Sequence, residues 1–192
     1  MRGKAKIVEL DQLPHLFSAI ANRRHADRDA LILLLSFKAG LRACEIAGLE
    51  WSMVRNTGGG IAESLEIAGR IAKNGRARRI PTHPDLMKAL EEAWSAAGRP
   101  VTGPVLVSQK GGHLTPGSIV NWFTTLYREA GYLGCSSHSG RRTFITNSAR
   151  QIAKVGGCLR DVQELAGHSA LTTTERYIEG DREAQRKLVR LL

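Results

Sequence analysis

The sequence predicts a mainly α-helical fold that contains a small antiparallel β-sheet. Apolar residues recur at helical spacing over most of the chain, whereas residues 64–81 alternate as strands do. Asn74-Gly75, within that stretch, is a strong signal for a hairpin turn. Because no internal repeat or low-complexity linker divides the chain, we expect residues 1–192 to form a single domain.

The N-terminal part begins with two predicted helices. The first covers residues 13–21, and Asp27 can cap the second, whose residues 30–35 are apolar on every side. An all-round apolar helix belongs in the interior of a domain. Gly40 is expected to stop this helix at the C′ position, and a short helix follows through Glu45.

The rest of the chain is predicted to pass through a hairpin and return to helices. Residues 64–68 and 76–81 are the predicted strands, and a type I′ turn at Asn74-Gly75 joins them, since that turn requires positive φ at both central residues. Further helices are predicted over residues 85–97, 118–130, 138–152, 160–166 and 171–177. A tail helix over residues 181–192 carries one apolar stripe.

Composition and charge narrow the class of function. The chain holds 28 Lys and Arg against 18 Asp and Glu, a net charge of +10 that suits a polyanionic partner such as nucleic acid. Its three cysteines show no CxxC spacing, which argues against a zinc site and for a reducing cytosol. No apolar stretch is long enough to span a bilayer, so we expect a cytoplasmic protein without a membrane partner.

Three short motifs contain the candidate catalytic side chains. They are Gly40-Leu41-Arg42-Ala43-Cys44-Glu45, His138-Ser139-Gly140-Arg141-Arg142-Thr143, and Leu165-Ala166-Gly167-His168-Ser169, the last running on to Tyr177. Guanidinium groups can neutralise the non-bridging oxygens of a phosphodiester, and a phenol can attack its phosphorus. The set therefore indicates phosphoryl transfer on nucleic acid without a metal. Taken singly, each arginine is more often a surface residue, a histidine in the position of His168 is more often a structural hydrogen-bonder, and the tyrosine reads as a packing residue.

Taken together and in order, these motifs resemble the tyrosine recombinase (phage integrase) family over about residues 10–179. The resemblance implies the catalytic-domain fold of that family. It also implies the catalytic residues Arg42, Lys73, His138, Arg141, His168 and Tyr177.

The resemblance further implies a mechanism for DNA strand cleavage. The Tyr177 hydroxyl attacks the scissile phosphate and forms a 3′-phosphotyrosyl link, while Lys73 protonates the leaving 5′-oxygen. The two arginines and His168 stabilise the pentacoordinate phosphorus, and His138 helps take the tyrosine proton. No ATP, metal or other cofactor enters this scheme.

Several neighbouring residues have expected supporting roles. Glu45, one helical turn after Arg42, is expected to hold the Arg42 side chain. Lys73 has a second interpretation as a phosphate contact in a basic hairpin. The DNA-binding candidates are Arg70, Arg76, Arg78, Arg79 and Arg142. Gly140 stands where many family members have leucine, and it weakens the helix by about 1 kcal/mol relative to alanine.

The resemblance also sets expectations for domains and partners. Family members carry a separate N-terminal core-binding domain, which we expect to be absent because this chain starts where the catalytic domain begins. The expected partner is double-stranded DNA, with self-association on it, as a tetramer in synapsis. The tail of residues 181–192 docks onto a neighbouring protomer or packs on its own core. We expect a bacterial or phage-encoded protein that associates with the nucleoid.

Three functions are compatible with the sequence. The first is a site-specific recombinase or integrase, the second a DNA-binding accessory factor that retains the fold, and the third a relaxing enzyme like the type IB topoisomerases. The complete set of candidate catalytic residues favours an enzyme over an accessory factor. Only the integrase-like motifs favour a recombinase over a relaxing enzyme.

Overall fold

The computed structural model describes residues 5–177 together with Arg186, Val189 and Arg190. Its helices are α1 (Leu13–Ile20), α2 (Ala26–Phe37), α3 (Ala43–Ala47), α4 (Pro84–Ala96), α5 (Pro116–Glu129), α6 (Ser139–Gln151), α7 (Leu159–Ala166) and α8 (Leu171–Glu175). Short 3₁₀ helices cover Leu10–Gln12, Trp51–Met53 and Ile152–Val155. The sheet consists of the antiparallel strands β1 (Ser64–Ile67) and β2 (Arg78–Pro81). The predicted fold class, mainly α with a small antiparallel sheet, is confirmed.

Helix α2 lies at the centre of the helical layer, as its all-round apolar sequence predicts. Leu31, Leu33 and Leu35 are buried, and the helix contacts α1, α3, α4 and α6. The predicted cap is wrong, because the helix begins at Ala26 and Asp27 lies in its first turn. At that position Asp27 is still close to the positive end of the helix dipole.

Gly40 turns the chain from α2 into α3. The helix ends at Phe37 with Lys38 as its C-cap, so Gly40 lies one residue beyond the predicted C′ position. Its φ is 61°, and the Leu41 N–H donates to the Leu35 carbonyl at 3.1 Å. A Cβ at this position would lie 2.4 Å from the Phe144 ring of α6. The turn therefore brings the start of α3, and Arg42 with it, close to α6.

The hairpin is present, but its predicted turn is wrong. The strands pair with Leu65 opposite Ile80, and residues 68–77 form a loop between them. Gly75 has a φ of 66°, whereas Asn74 has no positive φ, so the type I′ turn does not form. The loop instead folds on itself, because a Cβ on Gly69 would lie 2.5 Å from the Gly75 carbonyl oxygen.

The C-terminal helices form a small second core. Ile145 of α6 and Val162 and Ala166 of α7 are buried there, with Phe144 and Tyr177 packed against them. The predicted helices 85–97, 118–130, 138–152 and 160–166 are found within two residues of their expected ends, and the last predicted helix stops at Glu175. The predicted tail helix falls almost entirely outside the described residues. Within the described part of the chain, no helix is long and apolar enough to cross a membrane.

Candidate active site

A cleft of about 990 Å³ opens where α3, the β1–β2 loop and the C-terminal helices meet. All the candidate catalytic side chains line it: Arg42, Lys73, His138, Arg141, His168 and Tyr177. They come from five separate segments of the chain, so their convergence is a property of the tertiary structure. Lys73 enters from the β1–β2 loop and is exposed to solvent.

Arg42 caps helix α3, and Glu45 holds it as expected. The Glu45 carboxylate accepts from the Arg42 backbone N–H at 2.9 Å and from Arg42 Nη1 at 3.0 Å. Burial alone would raise the pKa of Glu45, but Arg78 and then Arg42 hold that pKa below its usual range. Glu45 is therefore an anion buried beneath the cleft.

Arg141 is 4% exposed and tied to two segments by its guanidinium. Nη1 donates to the Gly40 carbonyl and Nη2 to the Ala166 carbonyl, each at 2.6 Å. Burial, and then the Arg42 cation, lower the pKa of Arg141 to about 9, so the group is charged at neutral pH. With the bond to His168, three of its five N–H donors are used, and the other two have no hydrogen-bond partner among the described residues.

The hydrogen bonds of His168 identify its tautomer. Its Nε2 lies 3.1 Å from Arg141 Nη2, and because a guanidinium can only donate, Nε2 accepts. Its Nδ1 lies 2.9 Å from Thr174 Oγ1 and therefore carries the proton. Burial, followed by the cations of Arg141 and Arg42, lowers the pKa of His168 to about 4. His168 is thus neutral at pH 7.

His138 lies at the N-cap of α6, one helical turn before Arg141. Partial desolvation of its ring, together with the Arg141 cation, lowers the pKa of His138. A neutral imidazole at this position can accept a proton from a group bound in the cleft.

The Tyr177 ring packs against two other side chains of the cleft. Its ring stacks on His168 with the ring centroids 5.6 Å apart and the planes 24° apart. The Arg142 guanidinium also lies over the Tyr177 ring, with its Cζ 5.6 Å from the ring centroid. Arg142 Nη1 donates to the Ala5 carbonyl at 2.7 Å. Tyr177 therefore reaches the cleft of its own chain.

The four DNA-binding candidates within residues 70–79 fall into two environments. The exposed ones are Arg70, Arg76 and Arg79, of which Arg70 pairs with Glu50 at 2.8 Å and Arg79 pairs with Glu66. Arg78 is different, because its side chain is 7% exposed and its Nη1, Nη2 and Nε all donate to groups inside the protein. The expected phosphate contact of Arg78 is therefore wrong. Burial turns this side chain inward.

Two residues that support the site were not among the predicted site residues. Thr174 is fully buried and accepts the Nδ1–H of His168. Asn74 donates from Nδ2 to the Gly167 carbonyl at 3.4 Å and so links the β1–β2 loop to the segment of His168. Among the described residues, no cluster of His, Cys, Asp and Glu side chains is arranged to hold a metal ion.

Comparison with known proteins identifies the family. The model of the phage integrase family matches residues 6–183. The chain belongs to the phage integrase family. This confirms the resemblance that the motifs indicate.

Members of the phage integrase family with names or solved structures are similar to most of this chain. The tyrosine recombinase XerC of Bradyrhizobium diazoefficiens is 33% identical over 162 residues, which cover 81% of this chain and 47% of that protein. The crystal structure of XerA recombinase superposes with a TM-score of 0.71 at 20% identity, covering 97% of this chain and 65% of that one. The structure of the Tn1549 transposon integrase in complex with transposon right end DNA superposes with a TM-score of 0.75 at 16% identity, covering 98% of this chain and 66% of that one. The chain thus spans about half the length of the curated relative it matches.

Proposed function

We propose that this chain is the catalytic part of a site-specific DNA recombinase, which cleaves and rejoins strands through a 3′-phosphotyrosyl intermediate. The convergence of Arg42, Lys73, His138, Arg141, His168 and Tyr177 on one cleft carries the proposal. Membership of the phage integrase family supports it. The partner is double-stranded DNA, bound by more than one copy of the chain, and the site of action is the bacterial nucleoid.

The arginines supply the charge that the reaction needs. In the transition state, negative charge grows on the non-bridging oxygens of the scissile phosphate. Arg141 lines the cleft and keeps two N–H donors without a partner among the described residues, and Arg42, which also lines the cleft, is held by Glu45. Because both cations are fixed in advance, little reorganisation accompanies the reaction.

Bond making and bond breaking then follow from the remaining side chains. The Tyr177 oxygen forms a bond to phosphorus while the bond from phosphorus to the 5′-oxygen breaks. The phenolic proton passes to neutral His138, and Lys73 gives a proton to the departing 5′-oxygen. Neutral His168, whose Nε2 faces Arg141, orients that arginine and stacks on the nucleophile.

A selected substrate allows a direct test of the nucleophile. A library of nicked duplexes with a randomised segment is incubated with the unmodified chain, and the duplexes recovered as covalent adducts become the substrate. We expect Tyr177→Phe to form no adduct, because its ring lacks the attacking oxygen. The measurement is the protein–DNA adduct on a denaturing gel.

Tyr132→Phe is the matched control. Tyr132 hydrogen-bonds His15 and does not line the cleft, so this variant should form as much adduct as the unmodified chain. Adduct formation by Tyr177→Phe at the unmodified level would show that another group is the nucleophile. An unmodified chain that binds duplexes without any adduct would support the accessory role, and relaxation of supercoiled plasmid at a random site would support the topoisomerase-like one.

A further inference from the structure

Glu45, buried at the base of the cleft, holds a second arginine besides Arg42. Arg78 Nη1 donates to its Oε1 and Arg78 Nη2 to its Oε2, both at 2.8 Å. The paired bonds are the bidentate arrangement that fits a guanidinium to a carboxylate. The Glu45 side chain is 0% exposed and that of Arg78 is 7% exposed, so solvent screens this pair little.

The other edge of the Arg78 guanidinium contacts the segment that carries His168. Its Nε donates to the Leu165 carbonyl, the second-last residue of α7, at 3.1 Å. A Cβ on Gly167 would lie 2.8 Å from Arg78 Cδ, so the arginine packs directly against the residue before His168. Arg78 therefore contacts both Glu45, which holds Arg42, and the end of α7, which leads into His168.

Arg78 is also close to Lys73 in the sequence. It is the first residue of β2, directly after the loop that carries Lys73. Asn74 of that loop donates to the Gly167 carbonyl, and Arg78 donates to the Leu165 carbonyl. Both contacts are therefore made to the segment just before His168. The β1–β2 loop, α3 and the end of α7 thus meet at one guanidinium.

We propose that Arg78 is a positioning residue, whose bonds to Glu45 and Leu165 set Arg42, the Lys73 loop and His168 in register for phosphoryl transfer. This inference rests on the proposed function above. Phosphoryl transfer is sensitive to placement, since a shift of about 1 Å can lower a rate by about a hundredfold. Lysine cannot replace the planar fork, because an ammonium group lacks two parallel donors and the third one at Nε.

The chain contains a matched control for a purely structural ion pair. Asp29 of α2 is also a buried carboxylate held by two arginines, Arg28 at 3.2 Å and Arg23 at 3.7 Å. None of these residues lines the cleft. Loss of an arginine there should lower stability without changing the chemistry.

The experiment measures adduct formation by the full chain on the nicked duplex selected with the unmodified protein. Three quantities are separated: the single-turnover rate constant at saturating DNA, the Kd, and the active fraction from the adduct amplitude. For Arg78→Gln and Arg78→Lys we expect the rate constant to fall by about a hundredfold while Kd stays within about threefold. Arg28→Gln should lower the melting temperature and leave the rate constant unchanged.

Other outcomes overturn the inference. If both Arg78 variants lose only active fraction and keep the rate constant, Arg78 is structural, and if they change only Kd, it contacts DNA. Should Arg78→Gln fail to fold, Arg78→Lys and Glu45→Gln carry the test, and Glu45→Gln is expected to show the same fall in rate. If the unmodified chain forms no adduct with any duplex, the proposed function itself is refuted. If the unmodified chain forms adduct and the Arg78 variants keep its rate constant, only the inference about Arg78 is refuted.

Discussion

His168 shows how neighbouring side chains decide the chemistry of a single residue. The sequence identifies the histidine through its Gly-His-Ser context, and family resemblance gives it a place around the phosphorus. Its protonation state depends on Arg141 and Thr174, which are distant in sequence and adjacent in the structure. The resulting neutral ring accepts from the arginine, so it acts as a support for the cation.

The neutral state of His168 is open to a direct titration. We expect its ring to titrate near pH 4 in the folded chain, since burial and the neighbouring cations lower its pKa to about 4. In the urea-unfolded chain the same ring should titrate near the reference value of about 6.5. The measurement is the pH dependence of the His168 Cε1–H resonance by NMR, assigned by its loss in His168→Gln.

The same shift has a consequence for stability. Between the two pKa values the unfolded chain binds more protons than the folded chain, so the free energy of unfolding should fall as the pH is lowered from about 6.5 to about 4. His168→Gln should flatten the fall in that window. A His168 resonance that titrates near 6.5 in the folded chain would contradict the neutral assignment.

At the scale of helices, Gly140 is a packing contact in α6, although its low helix propensity suggests only a weak point. The sequence presents it as a weak point in α6, costing about 1 kcal/mol relative to alanine. In the structure it is the point where α6 meets α2, and a Cβ there would lie 2.4 Å from Ser36 Oγ and 2.8 Å from Phe37 Cδ2. Since α6 carries Arg141, this close approach places the arginine against the turn of Gly40.

We therefore expect Gly140→Ala to destabilise the protein in spite of the better helix propensity of alanine. Overpacking of a buried contact of this kind costs about 1–3 kcal/mol. Gly117→Ala in α5 is the matched control, because a Cβ there meets only Thr115 Oγ1 at 3.8 Å, and it should be neutral or stabilising. The measurement is the free energy of unfolding in urea, and equal stability of Gly140→Ala and the unmodified chain would contradict the packing role.

The β1–β2 hairpin shows which features of an element can be predicted from local sequence and which cannot. Alternation of apolar and polar residues correctly identifies both strands, because Leu65 and Ile80 face the core. The turn is mispredicted, since Asn74-Gly75 favours a two-residue turn only when the strands extend up to it. Here the loop bends back on itself at Gly69 and Asn74 reaches the Gly167 carbonyl, and such tertiary contacts override local turn preference.

At the scale of the whole molecule, the chain carries an excess of positive charge, which is one basis for the proposed binding of DNA. The net charge is +10, and Arg70, Arg76 and Arg79 are exposed on or beside the loop that carries Lys73. Each phosphate contact releases counterions and steepens the salt dependence of binding. Among the four arginines of residues 70–79, the DNA-binding hypothesis therefore applies to the three exposed ones.

Salt titration tests this distribution of charge. For a short duplex of arbitrary sequence, the triple change Arg70→Gln, Arg76→Gln and Arg79→Gln should reduce the slope of log K against log salt by up to about 2.7, or about 0.9 for each phosphate that an arginine no longer neutralises. Lys88→Gln in α4 removes an exposed cation that does not line the cleft and should leave the slope unchanged. A slope that the triple change does not alter would assign DNA binding to another surface.

The sequence alone indicated the family, the fold class and the six candidate catalytic residues that line the cleft. Such features are local: a motif, a helical period or a strand alternation is encoded within a few neighbouring residues, and several widely spaced motifs agreed. The tertiary structure alone decided what these residues do to one another. Arg78 is one of four similar arginines in a short basic stretch, and only its burial against Glu45 and Leu165 distinguishes it. Burial and distant hydrogen bonds depend on segments far apart in the chain, so no local pattern predicts them.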